Sequence, residues 1–285
     1  MKRMRNTVSA LLLPLFFLAV VPAVAGEADS ALDPLRNAAV AGDAAAQLKL
    51  ASEFFFGAES RPRNPVLAAY WFRKAAEQGS AEAAYNLGVC YEKGWGVEHA
   101  SAVLAYRSYE TAAAKGLPEA KLRKALLLAA GIPDEALEKG KLPGIPVDRA
   151  ESLRLLRELV KAGYLPAERE LGRMILLDPL LRRENGAEAR ASLLRAADAG
   201  DIDSLLLLAE CYDDGVGGSG DAAKAAECYE RAAKLGSADA KVLLAAAYEF
   251  GLGVKPDPKR AFALVREAAD SGNLRAMTRL GDYYL

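Results

Sequence analysis

Histidine is nearly missing from this chain: His99 is the only one in 285 residues. That removes the commonest group for proton transfer near neutral pH. His99 falls in a loop just ahead of an expected helix, with no serine or cysteine nucleophile beside it in sequence. No serine is followed three residues later by lysine, so the serine–lysine acylation motif of β-lactam chemistry is missing as well. Cysteine is scarce. Cys90, Cys211 and Cys228 make an odd number, which leaves at least one thiol unpaired within the chain. Charge of either sign is not in excess, with 37 Lys and Arg against 38 Asp and Glu. Nothing in that balance would draw the chain to nucleic acid or to an anionic membrane. The run Asp213-Asp214-Gly215-Val216-Gly217-Gly218-Ser219-Gly220-Asp221 superficially resembles a calcium loop. It lacks the regular ligand spacing and the closing bidentate glutamate, and reads better as a turn followed by a helix cap. No metal or cofactor is expected.

A long hydrophobic run is also missing. The apolar stretch from Val8 to Val21 is about 14 residues, short of the roughly 20 that span a bilayer. Lys2, Arg3 and Arg5 precede it and Ala23-Val24-Ala25 follows. A basic start, a short apolar core and an Ala-x-Ala site describe a cleavable signal peptide ending near Ala25. The alternative, an N-terminal anchor, is disfavoured by Pro14 and Pro22 as well as by length. No cysteine follows the cleavage site, so lipidation there is not expected. The expectation is a mature protein of residues 26–285, exported to a bacterial periplasm and without a membrane span. Losing Lys2, Arg3 and Arg5 would leave 34 basic against 38 acidic residues, a net charge of −4.

What the chain does have is a period. Gly42, Gly79, Gly116, Gly163, Gly200, Gly236 and Gly272 stand 37, 37, 47, 37, 36 and 36 residues apart. After Gly79 come Ala83, Leu87-Gly88, Tyr91 and Gly94-Trp95-Gly96-Val97; after Gly236 the same slots hold Ala240, Leu244-Ala245, Tyr248 and Gly251-Leu252-Gly253-Val254. Apolar residues at these steps share one side of a helix, and the glycines suit its C-terminal cap. A second helix follows in each period. Asn64, Ser101, Asp148, Asn185, Asp221 and Asp257 occupy one repeat position, and each can cap a helix through its short oxygen-bearing side chain. Ala68-Ala69-Tyr70-Trp71-Phe72-Arg73-Lys74-Ala75-Ala76 shows the composition of these second helices, small residues around an aromatic filler.

The LG-x-x-Y, G-x-G-V and A-x-x-WF-x-KAA-x-x-G segments resemble the Sel-1-like repeat family, a relative of the tetratricopeptide repeats. The resemblance covers Leu32 to Leu285. It weakens in the third period, where Lys124 replaces an interior leucine, and in the fourth, where Ile175 takes the tyrosine slot. It implies an all-α fold: an α-α superhelix, or solenoid, of about six helix-turn-helix repeats that binds other proteins on its curved faces. The expected organisation is a half-repeat at 26–41, six repeats at 42–271 with an insertion at 131–147, and a half-repeat at 272–285. No catalytic residue is implied.

In such a stack the first helices line the inner face. Their inward slots hold Leu48, Phe55, Phe56, Tyr85, Val89, Leu122, Leu126 and Ala129 in the first three repeats. In the fourth to sixth they hold Arg169, Arg173, Asp203, Glu210, Asp213, Asp239 and Glu249. The expected contact surface is therefore apolar at one end and charged at the other. It centres on Phe55, Phe56, Tyr85, Val89, Leu122, Leu126, Arg169 and Arg173, and its partner would be a protein or peptide. The competing reading is that some of these side chains fill the core. The insertion, with three prolines and three glycines, is a second candidate surface, and Tyr284 with Leu285 a third, suited to self-association. Cys211 and Cys228 fall in paired helices of the fifth repeat and either form a disulfide or sit as two small buried thiols. The functional expectation is a non-enzymatic interaction scaffold of the cell envelope. A periplasmic immunity-type protein that neutralises a toxic effector such as a lipase is the alternative, and a hydrolase a remote one.

Overall fold

The computed structural model describes residues 33–283, apart from 60, 138 and 139. The expected signal segment and the Tyr284–Leu285 end lie outside the described residues. Among these residues there are fourteen helices and one short two-stranded hairpin, so the fold is an all-α solenoid of helical repeats. The helices are α1 (Pro34–Val40), α2 (Ala44–Phe56), α3 (Pro65–Glu77), α4 (Ala81–Lys93), α5 (Ala102–Ala114), α6 (Pro118–Ala130) and α7 (Arg149–Lys161). They continue as α8 (Pro166–Leu177), α9 (Pro179–Asp198), α10 (Ile202–Asp213), α11 (Ala222–Lys234), α12 (Ala238–Phe250), α13 (Pro258–Asp270) and α14 (Leu274–Asp282). The chain forms two compact units, the first ending at Ser152 and the second starting at Leu153.

In the first unit α1 packs on α2, and each helix through α6 packs on its neighbour in sequence. Leu50, Ala51, Ala68, Ala69, Trp71, Phe72, Leu87 and Cys90 form the larger core cluster. Alanines let α3 and α5 approach their neighbours, while Phe72 and Tyr109, fully buried, fill the space that this leaves. Gly88 shows how tight the fit is: a methyl group there would meet the Tyr109 ring at 2.6 Å. Arg61 ties α1 to the first repeat by ion pairs to Asp33 and Glu53. Its hydrogen bond holds the Asp33 carboxyl below the usual range, against the opposing effect of burial. That bond therefore adds stability above the ordinary Asp pKa and loses it as pH falls through the lowered value.

Five of the six expected caps form. Asn64, Ser101, Asp148, Asp221 and Asp257 each accept a hydrogen bond from the amide three residues on. Asn185 does not cap. The loop before it has wound into helix, Asp178 caps α9 instead, and Asn185 marks a kink with φ −118° and ψ 17°. Lys124, at the interior leucine slot, is partly buried, and its ammonium is met by Glu110 at 2.8 Å and by the Tyr106 ring.

The insertion is the one departure from helix among the described residues. β1 (Glu135–Leu137) pairs antiparallel with β2 (Gly140–Leu142), below an Ile132–Ile145 bridge. It does not project freely. The Glu135 carboxylate accepts from the Ser101 hydroxyl and from the Val103 amide at 2.9 Å, meeting the positive end of α5.

In the second unit, α8 through α14 each pack on the next over a core that includes Leu156, Leu171, Ile175, Leu193, Leu205, Leu208 and Val265. Both units use one joint. The second glycine of each G-x-G loop sits against the first turn of the preceding second helix. A Cβ on Gly96 would lie 1.8 Å from the Pro65 carbonyl oxygen, and one on Gly253 2.0 Å from that of Ala222. Gly236, in a turn between repeats, has φ +97° but open space around it. Gly236→Ala should therefore cost only the left-handed strain, about 1–2 kcal/mol. Gly253→Ala should cost more than about 3 kcal/mol, since it adds a backbone clash to that strain. Urea unfolding of the two variants checks the order.

Candidate functional site

The sharpest feature of the first unit is an aromatic cluster at the end of α2. The Phe55 ring lies 5.0 Å from Phe56, 5.9 Å from Phe72 and 5.5 Å from Trp95. Arg63 sits 5.6 Å over the Trp95 ring. Burial grades outward: Phe72 is 1% exposed, Phe55 half-buried, Trp95 38% exposed and Phe56 78% exposed. The loop that carries Trp95 is held by its amide, which donates to the Cys90 carbonyl at 2.9 Å, and by the Gly96 joint. Phe55 is thus a supporting member and Phe56 the presented one. The sequence pairs Phe55 with Phe56 on one helix but does not reveal Trp95 and Arg63 beside them. Nothing in the spacing reveals that the loop of one repeat folds over the first helix of the one before.

Tyr85, Val89, Leu122 and Leu126 are all half-buried. Tyr85 packs on Tyr109 at 5.5 Å and joins a polar network. The Tyr109 hydroxyl donates to Glu92 at 2.7 Å, and Arg123 bridges towards Glu92 and Tyr85. Burial first, and Glu92 second, push the Tyr109 phenol far above its ordinary range, so it stays a neutral donor.

Arg169 and Arg173 lie in the second unit, in an ion cluster. Both bond the buried Glu170 carboxylate, Arg173 at 2.6 Å. Arg169 also reaches Asp201 at 2.9 Å and Asp203 at 3.3 Å. Burial pulls the Arg169 pKa down, but Asp201 and the other carboxylates more than offset it. Arg169 thereby stitches α8 to α10, while Arg173, the more exposed, keeps a free side. Behind them Arg195 grips the buried Glu168 with two bonds, at 2.6 and 2.9 Å. A partial desolvation of paired charges of this kind gives register more than stability.

Cys90, Cys211 and Cys228 are all free and buried. The Cys211–Cys228 bridge is not formed; each thiol fills a core position as a small apolar group. Burial pushes Cys90 up to about 12 and the other two up to about 11. His99 is exposed in its loop. The calcium-like loop has its acids engaged elsewhere: Asp213 accepts from Tyr229, Asp214 pairs with Arg182, and Asp221 caps α11. No metal-binding group of His, Cys, Asp and Glu occurs among the described residues. None of their helices is long and apolar enough to cross a membrane.

Tight helical hairpins joined by a glycine and stacked through a second glycine define a solenoid of interaction repeats. The Sel1 repeat family matches residues 44–80, 81–117, 124–164, 202–237 and 238–273, more than half of the chain, and the chain belongs to that family. The fourth hairpin, α8 with α9, falls outside those matches, and it is the one whose second helix is extended back to Asp178 and kinked at Asn185. Among solved structures, the chain resembles c5321, a protective antigen of uropathogenic Escherichia coli with an SLR fold. That match has 31% identity and TM-score 0.72, and covers 87% of this chain and 50% of that one. A Sel1 repeat protein from Oxalobacter formigenes matches at 26% identity and TM-score 0.64, covering 89% and 95%. DAP3-binding cell death enhancer 1 of Mus musculus is 31% identical over 199 residues, 69% of this chain. The chain spans about a third of that curated relative's length, 36%.

Two outcomes test the site geometry. Phe56→Ser should leave stability within about 0.5 kcal/mol, whereas Phe55→Ala should cost about 2–3 kcal/mol; equal effects in thermal melts would contradict the graded burial. The three thiols should resist a thiol-specific disulfide reagent at pH 8 in the native protein and react once it unfolds, because the thiolate is the attacking form.

Proposed function

We propose that this chain is a non-enzymatic protein-interaction scaffold, exported to the bacterial cell envelope, whose main contact surface lies on the first-helix face of the first unit. Phe56 carries the reading. It is 78% exposed at a slot that holds Lys93 in the second repeat and Asp214 in the fifth. Because the slot accepts these charged residues as well as the apolar Leu177 and Phe250 of the fourth and sixth repeats, the repeat geometry does not require an apolar side chain there. Phe56 packs edge-on against Phe55, which Trp95 and Phe72 hold in turn, so a partner meets an aromatic side chain that one neighbour already supports. Tyr85, Val89, Leu122 and Leu126 extend the half-buried apolar surface along the following first helices. Arg63, over the Trp95 ring, supplies a cationic neighbour that sets orientation more than affinity.

Two roles fit such a surface, an adaptor for envelope assemblies and an immunity-type protein that covers a toxic effector, and the identity of the partner separates them. Partners should be captured from an envelope extract with wild type, Phe56→Glu and Phe56→Trp in parallel. The expected result is one dominant protein held by wild type and by Phe56→Trp and lost, about tenfold or more, with Phe56→Glu at unchanged melting temperature. A partner held equally by all three would contradict this placement of the surface.

A further inference from the structure

Nine residues after each glycine of the period, every first helix carries a small residue: Ala51, Gly88, Ala125, Gly172, Ala209, Ala245 and, in α14, Gly281. The first six are buried. What covers them is the second helix of the same repeat: a Cβ on Gly88 would meet the Tyr109 ring at 2.6 Å, and one on Gly172 the Leu193 side chain at 2.5 Å. Both side chains stand seven residues before the next glycine of the period. Gly281 is exposed, and nothing lies within 4 Å of a Cβ built there. Met277 shows the same contrast. It is 47% exposed, where its counterparts Gln47, Ala84, Glu168 and Leu205 are buried. Ala276, by contrast, is fully buried, and α14 packs on α13 and α12. Among the described residues, then, α14 is a first helix whose seat for a second helix is open.

α1 has the complementary form. It stands just ahead of Gly42, as each second helix stands just ahead of its own glycine, and it packs on the first helix that follows it, α2. Among the described residues no first helix precedes it. Leu35, seven residues before Gly42, takes the slot of Tyr109 and Leu193 and is only half-buried. Ala38, four before Gly42, is half-buried too, whereas its counterparts Ala75, Ala112, Leu159, Ala196, Ala232 and Ala268 are all buried. The slots that a first helix covers elsewhere are open on α1, and the slots that a second helix covers elsewhere are open on α14.

We propose that α14 of one copy takes α1 of a second copy, so that a helical hairpin is completed across two molecules. Leu35 enters the seat at Gly281, as Tyr109 and Leu193 enter theirs. A second register point follows from the repeats themselves. The residue five after one glycine meets the residue five before the next: Arg195 bonds Glu168 at 2.6 Å, and Lys241 bonds Glu267 at 2.8 Å. The same rule sets Met277 against Asn37, an uncharged pair that is exposed on both sides. The contact is heterologous, since each copy offers one of each surface, and it needs only that each end keep its own local geometry. Two short helices bury little area, so the association is weak and concentration-dependent. It involves none of the residues around Phe56 and stands whether or not that cluster binds a partner.

Sedimentation of the full chain over roughly 10–300 µM tests it. The expected result is a mass that rises with concentration. Gly281→Phe closes the seat without touching any neighbour, and should leave a monomer at unchanged melting temperature. Met277→Lys should weaken association about tenfold, because it presses an unpaired ammonium into the contact. Adding Asn37→Glu to that same chain should restore association, since the new pair copies Lys241 with Glu267 from one molecule to the next. All three positions are exposed, so none of these variants asks the fold to adapt. A monomer at every concentration, or wild-type association by Gly281→Phe, would overturn the proposal. So would a Met277→Lys defect that Asn37→Glu does not repair, since α14 would then be meeting some surface other than α1.

Discussion

One contact sets the geometry from which everything else follows: a loop glycine pressed against the backbone of the preceding repeat. Gly96 on Pro65, Gly217 on Gly186 and Gly253 on Ala222 leave no room for any side chain. In the second, fifth and sixth repeats this joint fixes how far the hairpin can lie from the one before it. The alanines of the second helices then fill the remaining seam, with buried aromatics such as Phe72 and Tyr109 where the sequence supplies them. Each repeat contacts only its neighbours, so stability is built step by step along the stack rather than around a central core.

The same joint explains why the candidate surfaces lie where they do. It pins the loop that carries Trp95 over the first helix of the previous repeat, and so creates a cluster from residues forty positions apart in sequence, Phe55 and Trp95. It also leaves the last residue of each first helix at an edge beside that loop. Where the residue is charged, as Lys93 and Asp214 are, it forms an ion pair with a neighbour. Where it is Phe56, Leu177 or Phe250, it stays exposed. Packing fixes the backbone slot, and its side chain is left free to specify what the repeat meets.

Much of this was legible in the residues. The glycine period and the caps located the hairpins because both report backbone requirements that few other side chains meet. The fourth repeat was visible by the same signs, even where its cassette drifts. The cap at Asn185 failed because propensity there competes with a leucine- and arginine-rich stretch that prefers to continue as helix from Asp178. Periodicity could place Phe55 and Phe56 on one face but not rank them; only the loop from the next repeat makes one a support and the other a contact. The inward slots of the later repeats read as charged, yet the fourteen-residue offset that marks Phe56 also marks Leu177 and Phe250. The engagement of Arg169 with Asp201 and Asp203, and of Glu135 with the start of α5, joins residues about thirty positions apart, and a spacing of one repeat shows which helices are neighbours but not which side chains meet.

The central claim is that Phe56 is presented to another protein in the cell envelope. Placing the photoreactive analogue p-benzoylphenylalanine at position 56, and as a control at position 235, tests it in intact cells under brief irradiation. The account predicts one cross-linked protein from position 56 and none shared with position 235. No adduct from position 56, or the same scatter of adducts from both, would contradict it.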